Sequence, residues 1–397
     1  ANPNLAGEVD QIEDIIEQTA NRLTSAQTCN GTNGSTIPNN TFGYGRVDAV
    51  AAVNRALDKL YVPFIKVDQF GYLPSSQKIA IISNPINGYN NSTHYTATST
   101  VVVKNSKTHQ VVYSGSSSAW NGGATHDQSG DKVWWFDFSS LTAPGTYHIA
   151  GSPDGGIRSE DFVISNTIYE DVVKSAFKTY YYQRCGTAKS TPYADTGYTD
   201  NTCHTKDLNC KFINDPSNAS LYKNMSGGWH DAGDYNKYVN FAYKPVLDLL
   251  WSYEINPEAW QSDNLNIPES GNGIPDLLDE IKVELDWLLK MQANDGGIHC
   301  VVGVQNYASA SPPSADNATR YYAPKTTSAS LSTAAMFAFA AKQYSKIDNA
   351  TAQSLSATLQ TKAIDAWNWA EANPNATYYN AANNLAAGEQ EIDSYNR

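Results

Sequence analysis

Along the first sixty residues, apolar positions recur every three or four: Val9, Ile12, Ile16, Ala20 and Leu23, then Val47, Val50, Val53 and Leu57. That spacing places each set on one side of a helix, so the pattern predicts two helices joined by a polar turn, 29–40. Two helices this short cannot bury enough surface to stand alone, and they need a larger body. From Phe64 to Ile164 the period changes to two. Segments 79–82, 100–103, 111–113, 133–138, 146–150 and 161–164 read as short strands. Turns fall between them at Gly88, Gly115, Gly122-Gly123, Pro144-Gly145 and Gly155-Gly156. Short strands at roughly ten-residue intervals predict a β-sandwich of immunoglobulin type. Past Ile168 helical spacing returns, over 170–184, 275–292, 331–347 and 352–372. In the second of these Leu277, Ile281, Leu285 and Leu288 share a face, and Glu280, Lys282 and Glu284 are expected to meet water. Long loops rich in Asn, Gly and Tyr separate these helices, and loops on a rigid scaffold commonly carry function.

Length and charge narrow the possibilities. At about 150 residues per domain, 397 residues suggest two or three domains. Lys and Arg number 27 against 40 Asp and Glu, a formal net charge of −13. Such a surface repels phosphate backbones and anionic headgroups, which argues against nucleic-acid and membrane-surface partners. No apolar run approaches the ~20 residues of a spanning helix. Nothing in the sequence indicates an oligomeric state. The 25 Tyr and 9 Trp serve either packing or a sugar-binding cleft. Cys occurs five times, an odd number, so at least one is free, metal-bound or paired with another chain. The chain opens at Ala1 without Met or signal-peptide regions and closes at Arg397 without turn chemistry, so both ends are expected to be cuts.

Three constellations carry candidate chemistry. In Gly227-Gly228-Trp229-His230-Asp231-Ala232-Gly233-Asp234-Tyr235, two carboxylates three residues apart can converge on one small volume. Crowded like charges raise the pKa of one partner, which suits a group accepting a proton from water. The plainer reading is a polar helix start with Asp as its cap. Cys185, Cys203-His204 and His230 offer two thiolates and two imidazoles, a set appropriate to a closed, structural zinc site. Ordinary buried residues, or a 203–210 or 185–203 disulfide, are the alternatives; Cys210 and Cys300 are left as free thiols. Glu269-Ser270-Gly271-Asn272-Gly273-Ile274-Pro275-Asp276 gathers hard oxygen ligands as a calcium loop would. It equally suits a capped helix start with Pro275 in the first turn. There is no phosphate loop, no dinucleotide fingerprint and no nucleophile elbow.

Together these residues resemble the catalytic domain of glycoside hydrolase family 9, the endoglucanase family. The resemblance runs over 166–397 and is carried by Tyr180-Tyr181-Tyr182-Gln183-Arg184-Cys185-Gly186, Cys203-His204, the stretch 227–238, and Leu285-Asp286-Trp287-Leu288-Leu289-Lys290-Met291-Gln292. Residues 62–165 resemble the immunoglobulin-like domain that precedes it in one branch, opening on Ile65-Lys66-Val67-Asp68-Gln69-Phe70-Gly71-Tyr72. The resemblance implies a sandwich followed by an incomplete all-α (α/α)6 barrel, and hydrolysis of β-1,4-glucosidic bonds with inversion. It makes Asp234 the general base and lets Asp231 hold the water. It implies structural Zn2+ on Cys185, Cys203, His204 and His230, and structural Ca2+ around Glu269, Asn272 and Asp276. A β-glucan polysaccharide is the implied partner, and an extracellular location follows from that substrate.

In that family the general acid is a Glu near the end of a six-hairpin barrel, ~6.5–9.5 Å from the base across the sugar ring. A block carrying His and Arg for substrate also lies late. Neither is expected within these residues, and Glu389 and Glu391 do not match the acid. The chain by itself is therefore expected to be inactive, a fragment or fusion keeping scaffold or weak glucan binding. Gly297-Ile298-His299-Cys300 also departs from the Tyr-His-Lys that the family usually carries there. Residues 1–60 resemble something else, the C-terminal tail of a subtilisin-like serine protease. The matching text is Ala1-Asn2-Pro3-Asn4-Leu5, the helix 12–20, and Asn39-Asn40-Thr41-Phe42-Gly43-Tyr44-Gly45-Arg46-Val47-Asp48-Ala49. Ser25 has no strained turn or partner His around it, so protease chemistry is not expected.

Overall fold

The computed structural model describes residues 5, 9–29, 32–58, 64–88, 90–91, 94–151, 157–261, 263–307, 310–380 and 385–387. The turn at Gly155-Gly156, residues 1–4, and Glu389 and Glu391 lie outside the described residues. Backbone packing divides the chain into two units, Ala1–Val173 and Lys174–Arg397.

In the first unit the helical periodicity near the start becomes α1 (Val9–Thr19) and α2 (Ala49–Asp58), which pack on each other. Two-residue strands β1 (Thr28–Cys29) and β2 (Thr32–Asn33) lie in the segment between them. Ile15 is buried, yet the expected apolar stripes stay largely outside: Val9, Ile12, Ile16, Val47, Val50 and Val53 are exposed.

The alternating segment folds as two antiparallel sheets. One has the order β3-β4-β8-β7, with β3 (Ile65–Lys66), β4 (Ile79–Pro85), β7 (Ser117–Ala119) and β8 (Asp131–Asp137). The other is β10-β9-β5-β6, with β5 (Val101–Asn105), β6 (Val111–Gly115), β9 (Gly145–Ala150) and β10 (Phe162–Ile164). Alternation sends Phe136 inward and Trp135 outward along β8. Ile82, Val101, Val103, Phe136, Phe138, Ile149 and Phe162 merge into one core drawn from both sheets. Tyr72 stands edge-on to Phe138 and Phe162 within it.

The second unit is mainly helical, with α3 (Glu170–Gln183) leading into it, then α4 (Val239–Ile255), α5 (Asp276–Met291), α6 (Thr327–Tyr344) and α7 (Ala350–Ala372). The α6–α7 pair packs as a hairpin, and α4 lies against both α5 and α6. A small sheet of order β11-β14-β13-β12 completes the unit, from β11 (Lys211–Phe212), β12 (Lys237–Tyr238), β13 (Val301–Gly303) and β14 (Tyr321–Tyr322). The apolar side of α5 enters the core as expected, through Leu277, Ile281, Leu285 and Leu288.

Glu280 and Glu284 do not lie on a wet side of α5 as expected. Glu280 is 0% and Glu284 1% exposed, and of the three expected wet residues Lys282 alone keeps partial access, the accessible strip of the helix running instead through Lys282, Val283, Asp286, Leu289 and Lys290. Burial of a carboxylate is tolerated only with partners, and both have them, as described below. Among the described residues no helix is long and apolar enough to cross a membrane.

Candidate active site and metal centre

The stretch 227–238 runs from a pair of left-handed glycines into β12. Gly228 has φ +75°, and a Cβ there would sit 2.8 Å from the Trp287 ring and 2.9 Å from Glu284 Oε2, so only glycine lets the backbone pass. The chain is then tied down on both sides. Cys185 N–H donates to Gly228 O (2.7 Å) and His230 N–H to Gln183 O (2.8 Å). Trp229 N–H donates to Glu284 Oε2 (2.7 Å), and its indole N–H to Glu280 Oε1 (2.9 Å). Glu280 in turn takes Arg184 Nε and Nη2 at 2.8–3.1 Å. Burial pushes the Glu284 carboxyl up to about 8, with the Trp229 N–H and Lys237 pulling the other way.

Residues 231–236 form a closed turn, with Asp231 N–H donating to Asn236 O (2.9 Å). Asp231 is exposed and Asp234 half-buried. Asp234 accepts from Asn236 Nδ2 (3.2 Å) and from the Tyr238 hydroxyl (3.2 Å). Partial burial, and then the charge of Asp234, raise the pKa of Asp231. The expected crowding of the two carboxylates is therefore felt at Asp231. Asp231 borders a pocket of about 230 Å³ whose walls include Tyr180, Trp229, Tyr238, Phe241 and Glu284. Aromatic walls with a few converging polar groups are the common build of a ligand site.

Behind the turn, Cys185, Cys203, His204 and His230 are all buried, and one ligand atom from each falls within 4.8 Å of the others. His204 Nε2 lies 3.1 Å from Asp316 Oδ2, the kind of carboxylate contact that orients a metal-binding imidazole. His204 Nδ1 is 3.1 Å from His230 Nε2, which is 3.9 Å from Cys203 Sγ. Tetrahedral zinc on two sulfurs and two nitrogens spaces its ligand atoms roughly 3.3–3.8 Å apart. The donor set and its spacing thus fit zinc. A hydrogen bond from Cys185 pulls the Cys203 thiol down to about 6 against the effect of burial, helped by the Gly186 amide and Lys189. Cys185, Cys203, Cys210 and Cys300 are all free thiols, which removes the disulfide alternatives for 185, 203 and 210.

The loop 269–276, read from sequence as a candidate calcium site, assembles differently from the expected ligand set. Both Glu269 oxygens accept from Arg184 (3.0 Å each), and Asn272 Oδ1 accepts from the Ile274 N–H (2.8 Å). Asp276 Oδ2 accepts from Leu265 N–H (2.8 Å) and Ser270 Oγ (2.9 Å). Asp276 Oδ1 and Asp279 Oδ2 remain buried without a hydrogen-bond partner. Burial first, with Glu269 and Asp276 adding their charge, lifts Asp279 to about 7.

Several residues that organise the site were missed by motif reading. Asp207, Lys237 and Arg320 are fully buried and paired, Lys237 Nζ to Asp207 Oδ2 at 2.8 Å and Arg320 Nε to Asp207 Oδ1 at 3.0 Å. Burial alone would raise the Asp207 pKa, but Lys237 and then Arg320 overcome it and hold it at about 2. The signal available in the sequence was position: Asp207 follows Cys203-His204 by three residues, and Lys237 follows Asp234 by three.

The chain thus joins an antiparallel sandwich, in sequence, to a helical unit that carries a turn with two carboxylates. The chain belongs to glycosyl hydrolase family 9, whose model matches residues 169–396; residues 61–153 match the cellulase N-terminal ig-like domain. Endoglucanase D of Acetivibrio thermocellus is 34% identical over 286 residues, 72% of this chain and 42% of that protein. A xyloglucan-specific endo-beta-1,4-glucanase of Bacteroides ovatus is 30% identical over 325 residues, 80% of this chain and 51% of its own length. Among solved structures, a Zn-binding triple mutant of a family 9 endoglucanase superposes with a TM-score of 0.68 at 32% identity, covering 81% of this chain and 57% of that one. The chain spans about half the length of the curated relatives it matches.

Proposed function

We propose that the protein hydrolyses β-1,4-glucosidic bonds of cellulose or related β-glucans with inversion. Asp234 takes the proton from the attacking water and Asp231 holds that water. The observation that carries this reading is the turn itself: two carboxylates in one loop, one aimed by Asn236 and Tyr238, the other raised in pKa beside the aromatic pocket. The names of the endoglucanase relatives support the substrate class, and extracellular action follows from an insoluble substrate. The general acid is assigned by resemblance to a late Glu, and no described residue takes that role. We further read residues 62–165 as the sandwich domain, and α3–α7 within 166–397 as the opening hairpins of an (α/α)6 barrel. Residues 1–60 are read as a subtilisin-like tail, on the sequence match of 39–49.

Zinc is the reading for Cys185, Cys203, His204 and His230; when bound it supplies a structural cross-link and no chemistry on the sugar. Calcium is the reading for the loop before α5, held by the unpartnered oxygens of Asp276 and Asp279 with Asn272 beside them, while Glu269 stays with Arg184. Reducing-end release from carboxymethyl cellulose tests the main claim. Asp234→Asn is expected to lower the rate ~10²–10⁴-fold. An undiminished Asp234→Asn variant would overturn the assignment.

A further inference from the structure

We propose that Asp207, Lys237 and Arg320 form a buried strut that transmits the geometry of the thiolate–imidazole cluster to the Asp231–Asp234 turn, with Asp207 and Arg320 as positioning residues for the water-activating carboxylate. This rests on the metal reading above and deepens it.

The strut begins at the cluster. Asp207 N–H donates to His204 O (2.9 Å), and Asp207 Oδ2 lies 3.6 Å from Cys185 Sγ. From the same carboxylate two charged arms leave in different directions. Lys237 spends its three N–H bonds on Asp207 Oδ2 (2.8 Å), Met225 O (2.7 Å) and Gly227 O (2.8 Å), pinning the entry to the catalytic stretch. Arg320 donates Nε to Asp207 Oδ1 (3.0 Å) and Nη2 to Tyr235 O (2.7 Å). Tyr235 is the residue between Asp234 and Asn236, and it holds a left-handed φ of +57°. A non-glycine residue persists there only where its surroundings over-determine it. Its ring supplies the second constraint, packing 5.2 Å from both His204 and His230. Its hydroxyl donates to Ala310 O (2.7 Å).

The turn is therefore gripped twice by groups that also grip the cluster, the main chain by Arg320 and the ring by the two imidazoles. A carboxylate with two cations at zero exposure is a poor way to gain stability, since apolar residues of similar volume commonly do better. It is a good way to fix direction, because charge-assisted bonds from a planar guanidinium tolerate little misalignment. Coupling of this kind is reciprocal: what orders the cluster orders the turn, and the reverse.

Hydrogen exchange read by mass spectrometry on the 397-residue chain, with and without added Zn2+, tests the strut without any need for hydrolysis. In the parent chain zinc is expected to slow exchange over 231–236 at least tenfold. Arg320→Lys keeps the charge but loses the fork; it should still take up zinc while zinc no longer protects 231–236. Asp207→Asn should weaken zinc binding ~10–100-fold, the usual cost of losing an outer partner. Asp316→Asn, which touches His204 but not the turn, should weaken zinc binding and yet leave 231–236 protected once zinc is saturating. Unchanged exchange in α6 and α7 reports that each variant is folded. In the intact enzyme Arg320→Lys should lower kcat with KM held. Zinc uptake that leaves 231–236 unprotected in the parent, or protection unchanged in Arg320→Lys, overturns the strut alone. No zinc uptake by the parent overturns the strut and the metal reading together. The role of Asp234 as base can fail without altering any of the exchange results.

Discussion

The sandwich and the helical unit bury polar groups to different ends. In the sandwich the interior is dominated by Ile82, Val101, Val103, Phe136, Phe138 and Ile149, and the fully buried Lys78 serves a local turn by donating to Pro74 O (2.8 Å) and Ser76 O (2.9 Å). In the helical unit Arg184, Asp207, Lys237, Glu280, Glu284 and Arg320 are all buried around a single stretch of chain, 227–238. Apolar packing is non-directional and specifies a shape by volume. Ionic hydrogen bonds fix the direction of particular atoms and cost desolvation in return. The first arrangement suits a support, the second a site in which two carboxylates must hold their geometry.

That contrast can be broken by mutation. The largest effect is expected at Glu280, where Ala would leave the buried Arg184 guanidinium with Glu269 alone and strand the Trp229 indole N–H; denaturant unfolding should show a loss of about 1–3 kcal/mol, together with weaker zinc uptake. Glu280→Ala with unchanged stability would mean that the buried charges contribute nothing to the hold on 227–238. At the small end, Ile82→Val in the sandwich should cost about 0.5–1.5 kcal/mol and leave zinc uptake as it was. A change in zinc content on trimming Ile82 would contradict the division of labour.

What could be read from the sequence divides along the same line. Period-2 patterning located β4, β5, β6, β8, β9 and β10, helped by runs of Val, Ile, Phe and Tyr that feed the sandwich core. It passed over β3 and β7, of two and three residues, which are too short for alternation to register. Helix α4 was also missed: it carries Pro245 inside, a residue that normally ends or kinks a helix. Glu280 and Glu284 were assigned to water because a charged residue opposite a leucine stripe normally faces solvent. Their burial depends on Arg184, 96 residues before Glu280, and on the Trp229 backbone, 55 residues before Glu284, and no local pattern encodes such a pairing. The Cys/His set was legible because few residue types bind zinc, whereas Asp207 and Arg320 are ordinary charges in sequence and acquire meaning only from the contacts they make.

The central claim is that Asp234 activates water for an inverting displacement. Proton NMR of the reducing end freed from a soluble β-1,4-linked oligosaccharide by the intact protein tests it most directly. The account predicts that the α-anomer appears first, ahead of mutarotation, and that Asp234→Asn releases almost none. A β-anomer appearing first, or an Asp234→Asn variant that releases sugar at the parent's rate, would contradict it.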